Sequence, residues 1–537
     1  MPIPKPTLKL IISLAASLAL LLGLLASASA APVIPAGQEY YVDQNHPLAS
    51  DSNDGSQSAP WLTIQHAADV VAAGDTVYIK SGFYPERVVP QNSGTQGNPV
   101  AFIAQPRRTV TMYGFYTVNS DYLHIEGFNI TTHPSLSGWT EGPGVFIRSD
   151  YVAVIDNYFH DLDSTAIQGY WHAPFPVHAH VSHNHIYHSQ MGIGVTGFDW
   201  LVENNTVERL YNYGGGDCDY SRFFGENHVL RGNHFFGTDF SEVGSAHVDC
   251  FQTFDNNGEY VRDITIENNR CSEFHQGFMG EAAYYGNSEG LLFQNNVFAH
   301  GGAWGMSVHQ IRDVTAVHNV FADIRYHGIG FRDGATGQVY NNIFYDAGSN
   351  YWASDGGSVT GSHNLLYRTD GSIAPADFPG DLVNINPLLV DPESDNYSLF
   401  KDSPAIDAGL DAGTDYDIQG TARPQAAGFD IGAYEFAPAL YLSGWSADQT
   451  IYLSWTVNQD LPITTTWQVD YSGPTGDQPP AIGGLIYTSR SYTLTGLTNY
   501  AWYSVTLRAI LDETPVLTDT IGLMPTDHSL HLPWVMR

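Results

Sequence analysis

The chain has 537 residues, with 56 acidic against 21 basic side chains and a formal net charge of −35. Nucleic acid and anionic membranes need a basic surface, so both are poor partners, and the acidity also counts against unassisted capture of a polyanionic sugar. The three cysteines, Cys218, Cys250 and Cys271, are too few for a disulfide-stapled scaffold, and the length suits one elongated repeat domain with a smaller module.

Residues 1–31 carry the three-part pattern of a secretory signal. Lys5 and Lys9 open it, an apolar run extends from Leu10 to Leu25, and Ala26-Ser27-Ala28-Ser29-Ala30-Ala31 supplies small residues for cleavage. The apolar run is short for a bilayer span, and no later segment is long and apolar enough to cross one. The mature chain is therefore expected outside the cell, without a membrane span. Beyond the signal the only lysines are Lys80 and Lys401.

From residue 129 onward one short phrase recurs: a few β-formers, an asparagine, then a β-branched or aromatic residue. It centres on Asn129, Asn157, Asn184, Asn205, Asn233, Asn269, Asn296, Asn319, Asn342 and Asn364. The intervals are 28, 27, 21, 28, 36, 27, 23, 23 and 22 residues. Short β runs repeating at such a period mean stacked coils, and the helical i, i+3, i+4 pattern is missing. Asparagine suits a bend, where it tolerates left-handed φ, and stacked asparagines can bond from coil to coil as a ladder.

A second strand follows each asparagine strand. Examples are 144–149, 166–171, 192–197, 248–254, 277–282, 305–310 and 328–333. Alternation turns every second side chain to solvent. The outward column then holds Arg148, Tyr170, Thr196, Gln252, Glu281, His309 and Arg332. A polar, ionisable stripe along one sheet is a groove suited to an extended polymer.

The ends of this region carry a resemblance. Tyr40-Tyr41-Val42-Asp43, Asp51-Ser52-Asn53-Asp54-Gly55, Pro60-Trp61-Leu62-Thr63-Ile64-Gln65-His66-Ala67 and Gly74-Asp75-Thr76-Val77-Tyr78-Ile79 strongly resemble the opening of secreted right-handed parallel β-helix proteins of the pectate-lyase-like superfamily. Ser403-Pro404-Ala405-Ile406-Asp407-Ala408-Gly409 and Asp430-Ile431-Gly432-Ala433-Tyr434-Glu435-Phe436 look like their closing segment. The resemblance implies an all-β solenoid over residues 38–437. It also implies that the Ile-Gln-x-Ala segment is a cap helix over an otherwise open strand edge. It is specific for fold and weak for reaction, since the superfamily includes lyases, hydrolases, epimerases and binding proteins.

After Pro438 the pattern changes to separate antiparallel strands at 450–455, 466–471, 492–497 and 503–507. Residues 438–526 resemble a fibronectin type III sandwich, with Trp455 in its core and Leu497 and Tyr503 at its corner. A tail, 527–537, follows.

The densest polar cluster spans 211–281. Asp217-Cys218 and Asp249-Cys250 read as one register in successive coils, which stacks the aspartates about 5 Å apart. Carboxylates that close raise one pKa unless a cation lies between them. Three readings stay open: calcium held by Asp217, Asp219 and Asp249, the acid and base of a glycosidase, or backbone bonding at turns. On this register Cys218 and Cys250 stack inside, either as a disulfide or as a reduced, packed pair.

His247 precedes Asp249 by two residues and shares its face, a spacing for a carboxylate-oriented base. Glu281, His309 and Arg332 occupy neighbouring outward positions, whereas His160, His188 and His300 read as turn residues. β-Elimination of a uronate needs a group to neutralise the carboxylate and a base for the C5 proton. Arg222, Arg332 or a bound cation are candidates for the first. His247, His275, His309 or Tyr220 are candidates for the second. Tyr170, Tyr220 and Gln252 are candidate substrate contacts. The lysine base of some family lyases has no counterpart, because Lys80 lies near the cap and Lys401 in the closing segment. The expectation is a monomeric extracellular polysaccharide enzyme, first a lyase, with a hydrolase using Asp217, Asp219, Asp249 or Glu281 as the alternative. A non-catalytic glycan-binding or surface protein is the third reading.

Overall fold

The computed structural model describes residues 37–135, 142–213, 216–255, 258–281, 287–372, 378–473 and 482–526. The signal segment, the tail 527–537 and Gly214-Gly215 lie outside the described residues.

The β runs wind as a right-handed parallel β-helix, from Glu39–Val42 to Leu382–Val383. Each full coil lays down three short strands. One precedes the asparagine, such as Arg312–Val317, and one follows it, such as Val320–Ile324. The third forms the second-strand face, such as His327–Arg332. Each pairs in parallel with its equivalents in the coils before and after. Inward side chains stack along the axis, as in Phe298, Phe321 and Phe344, whose ring centroids lie 5.3 and 5.2 Å apart.

The asparagines form one buried file. Each Oδ1 accepts from the backbone N–H and Nδ2 of the asparagine one coil earlier, through Asn157, Asn184, Asn205, Asn233, Asn269, Asn296, Asn319, Asn342 and Asn364. Two details differ from the sequence reading. Asn129 is outside the file, because the N–H that donates to Asn157 belongs to Phe128. The left-handed φ falls on the residue before each asparagine, such as Asp156, His183, Asn204, Asn268, Asn295, His318, Asn341 and His363. That residue makes the bend, which leaves the asparagine extended and aimed inward. Asp381 ends the ladder, accepting from Asn364 N and Nδ2.

At the N-terminal end the helix Ile64–Val70 covers the first coil, burying Ile64, Ala67 and Ala68, with Thr63 as its N-cap. The closing segment runs back along the flank. Tyr397, Leu399, Ala405, Ile431 and Ala433 pack onto the outward side chains of Val297, Val320, Ile343 and Leu365. This covers the strands after the asparagines. Residues 440–523 form two antiparallel sheets of three and four strands around one core that includes Trp455, Trp467 and Leu507. The Tyr503 hydroxyl accepts from Thr498 N at 2.9 Å, beside buried Leu497.

Candidate functional site

The second-strand face carries the candidate residues as two adjoining columns. In the first, strand pairing places Glu281 beside His309 and His309 beside Arg332. Continued toward the N-terminus, the same column holds Phe254, Phe224, Thr196, Tyr170 and Arg148. Seven coil steps at the usual strand spacing make it about 34 Å long. Gln252 belongs to the second column, two residues back, opposite Arg222 and Met279.

At the C-terminal end of the first column, His309 Nδ1 lies 2.8 Å from Asp333 Oδ2, and Ser307 Oγ lies 3.1 Å from His309 Nε2. With Nδ1–H donating to the carboxylate, Nε2 is left as the basic nitrogen. The His309 side chain is 19% exposed, enough for a ligand to reach it. The Arg332 guanidinium lies 4.3 Å from the Trp304 ring and 5.0 Å from the Trp352 ring. Among the described residues no carboxylate pairs with it, and its buried Nε has no acceptor. Gly330 lies beneath both indoles: a Cβ there would fall 2.9 Å from each. Sequence reasoning singled out neither tryptophan nor Asp333. Only part of the signal was in the register: strand pairing sets Trp304 beside His327, whereas Trp352 stands beside Gly330, three positions further along the strand.

Arg148 repeats the motif at the other end. It stacks 3.7 Å over Tyr170, and its Nη1 donates to the Tyr116 hydroxyl. Tyr170 is thus a platform already capped by an arginine.

The 217–252 cluster differs from the sequence reading in register. Ser221 pairs with Phe251, an offset of 30, so Asp219 and not Asp217 stands opposite Asp249. Asp249 N donates to Asp219 Oδ1 at 3.0 Å. Arg222 donates through Nε to Asp219 at 2.5 Å and through Nη2 to Asp217 at 3.0 Å. Asp219 and Asp249 are completely buried. Burial pushes the Asp219 carboxyl up to about 6 against the pull of Arg222. Burial and the neighbouring Asp219 push Asp249 well up as well. Gln252 Nε2 donates to Asp249 Oδ2 at 3.2 Å, while Asp249 Oδ1 and Gln252 Oε1 lack partners among the described residues.

The calcium set is not assembled. No group of three or more His, Cys, Asp or Glu side chains among the described residues is arranged to hold a metal ion. Arg222 already supplies the positive charge between Asp217 and Asp219.

Two further expectations are corrected. Cys218 and Cys250 do not pair: Cys250 bonds Cys271, joining successive coils across the interior, and Cys218 is a free, buried thiol pushed up to about 12 by burial. The shared Asp-Cys dipeptide had suggested a register two residues off. Tyr220 is not a surface contact. It is fully buried, stacks on Phe235, and shares a hydrogen bond with Thr238.

His247 and Asp249 do not form a pair either. His247 is exposed, and no hydrogen bond joins it to Asp249 among the described residues. Its ring lies 6.0 Å from that of His275, whose Nδ1 accepts from Val248 N and whose pKa is lowered by burial and by His247. His188 and His300 have the left-handed φ of turn residues; His160 does not.

A family model described as "right handed beta helix region" matches residues 232–366. A curated relative, the uncharacterized protein YwoF of Bacillus subtilis (strain 168), is 26% identical over 222 residues. The match spans 38% of this chain and 43% of that protein, so the chain covers less than half the relative's length. Among solved structures, XylC in complex with xylose is 12% identical with a TM-score of 0.42, covering 90% of this chain and 100% of that one. A rhamnogalacturonan lyase is 15% identical with a TM-score of 0.36, over 64% and 90%. An alginate lyase from Paenibacillus sp. str. FPU-7 is 15% identical with a TM-score of 0.32, over 59% and 98%.

Proposed function

We propose that this chain is an exported polysaccharide lyase that binds an acidic glycan along the second-strand face and cleaves it by β-elimination at His309. One observation carries the reading: a solvent-reachable imidazole oriented by Asp333 lies beside Arg332, an outward guanidinium without a carboxylate partner among the described residues. A carboxylate-oriented histidine is a general base. A guanidinium presents a fork of donors that matches a carboxylate.

In this reading Arg332 neutralises the uronate carboxylate, which acidifies the C5 proton. His309 Nε2 takes that proton, the electron pair becomes the C4–C5 double bond, and the C4–O4 bond breaks. The departing oxygen is protonated by the imidazolium or by water. Export is supported by the buried Cys250–Cys271 disulfide, which suits an oxidising compartment. The 440–523 sandwich is read as a fibronectin type III-like accessory.

Glycoside hydrolysis is the second reading. The Asp219–Asp249 pair favours it, since both carboxyls are raised. Both are completely buried, however, so a sugar would have to displace the residues over them.

The test is incubation with a panel of uronate polymers, following the ultraviolet absorbance of the unsaturated product and the appearance of reducing ends. Both signals, lost in His309→Ala and in Arg332→Ala with circular dichroism unchanged, support the lyase. Reducing ends without absorbance, abolished by Asp249→Asn, select the hydrolase. Retained binding with neither signal selects a binding protein.

A further inference from the structure

A cavity of about 510 Å³ opens beside the N-terminal half of the same face, away from His309. Trp171, Phe175, Phe198, Phe224, Glu259 and Tyr260 are among its walls, and among the described residues no lysine or arginine lines it. Trp171 and Phe224 meet edge to face with centroids 4.8 Å apart, and Phe175 is 41% exposed. The Tyr260 hydroxyl is fixed by donating to Glu226 at 2.9 Å.

The backbone beneath is held close by stacked glycines. Gly225 has φ 105°, and a Cβ there would lie 1.9 Å from the Gly197 carbonyl oxygen. The hollow is therefore built into the turn and cannot be filled by a side chain at that position. Aromatic walls with a few polar groups at the rim are the usual lining of a small-ligand site, and rings with one apolar face suit the C–H face of a pyranose.

We propose that this cavity binds a neutral pyranose, so that the polymer processed at His309 is a mixed one carrying both uronate and uncharged sugars. The lack of a lining lysine or arginine among the described residues disfavours a uronate here, in contrast to the Arg332 end. Phe224 leads into the groove through Phe254, 5.0 Å away edge to face. Phe254 is the column neighbour of Glu281, which neighbours His309. Three coil steps separate Phe224 from His309, about 14 Å, a span of a few sugar residues on one chain. The substrate half of this inference rests on the lyase reading; the cavity half does not.

The experiment titrates full-length protein carrying His309→Ala with neutral hexaoses of xylose, glucose, galactose, mannose and rhamnose, and with a galacturonate hexamer, by calorimetry. The expected result is measurable binding of at least one neutral hexaose, weakened at least tenfold by adding Trp171→Ala and restored in large part by Trp171→Phe. Adding Arg332→Ala should leave neutral binding intact and weaken the galacturonate. If no neutral hexaose binds, or if one binds with equal affinity after Trp171→Ala, the cavity assignment is overturned, whatever the wild-type enzyme does to uronate polymers. If a neutral hexaose binds through Trp171 but the wild type cleaves nothing, the cavity stands and the lyase reading fails.

Discussion

Replacing Asn296 by alanine tests the idea that the asparagine file aligns the coils on which the second-strand face depends. Asn296 is fully buried. Its Nδ2 donates to Ile266 O at 2.8 Å and to Asn319 Oδ1 at 3.0 Å. Its Oδ1 accepts from Asn269 N and from Asn269 Nδ2, both at 3.0 Å. Truncation leaves the Asn269 N–H without its acceptor in a dry interior, which costs about 1–3 kcal/mol. The Ile266 carbonyl, the Asn269 amide and the Asn319 amide oxygen each lose one further bond, about 1 kcal/mol apiece. The sum is about 4–6 kcal/mol. The adjacent Asn268→Gly is the control, because Asn268 holds φ at 57° and glycine takes that conformation freely, so its cost should stay within about 1 kcal/mol. Urea unfolding gives the overall change, and amide exchange at Asn269 gives the local one, which a repeat protein confines largely to neighbouring coils. If Asn296→Ala costs no more than Asn268→Gly, and exchange at Asn269 is unaltered, the ladder is decoration and the argument from it fails.

Other expectations follow from charge. Asp249→Asn should retain or raise stability at pH 7. A carboxyl with a raised folded-state pKa contributes fully below its unfolded value near 4, and that contribution is lost as pH rises through the folded value, about 6 for Asp219. Melting temperatures from pH 4 to pH 8 should therefore fall in the wild type and fall less in Asp249→Asn; parallel curves would contradict the assignment. His300 lies 2.8 Å from Asp395 of the closing segment and 3.0 Å from Asp323, and the Asp395 bond leads in raising its pKa to about 9. Its contribution should be complete below pH 6.5 and lost as pH rises through 9. His300→Gln should remove that step from the melting curve. For an acidic glycan, raising ionic strength from about 10 to 150 mM shortens the screening length from about 30 to 8 Å. This should lower KM by relieving long-range repulsion, and a KM that rises steadily would show that attraction governs capture.

The fold was legible because its period is written in one residue type. A buried amide that must bond its counterpart one coil away tolerates little substitution, so asparagine recurs from Asn157 to Asn364 and the coils can be counted. Outward positions on the second-strand face were legible where strands keep strict alternation, as at Glu281, His309 and Arg332. They were misplaced where the chain turns a corner. At Tyr220-Ser221, and again at Cys250-Phe251, two consecutive residues are buried, which breaks the period of two, and Asp219 and Asp249 beside them are buried as well. Long coils added to this: the interval of 36 residues between Asn233 and Asn269 includes the helix Phe240–Val243, which no strand pattern predicts. Asp333 was missed because it follows the strand, at left-handed φ, where alternation says nothing about direction.

For a chain of net charge −35 to bind a polyanion, as proposed, a few cations must stay out of its own ion pairs. Arg107, Arg209, Arg231, Arg262, Arg312 and Arg508 are all paired with carboxylates. Arg332 and Arg148 are held by rings instead, between Trp304 and Trp352 and over Tyr170. Aromatic faces attract a guanidinium without neutralising it, and they lower the local dielectric, which strengthens the field the cation presents to a ligand. On the proposed reading, long-range repulsion would limit how fast a polyanion arrives, and short-range attraction at two aromatic-framed arginines would decide how it sits once there. Exchange of either arginine for lysine should therefore weaken binding of an acidic glycan, because an ammonium stacks poorly, presents no planar fork, and would be drawn to the nearest of the many carboxylates.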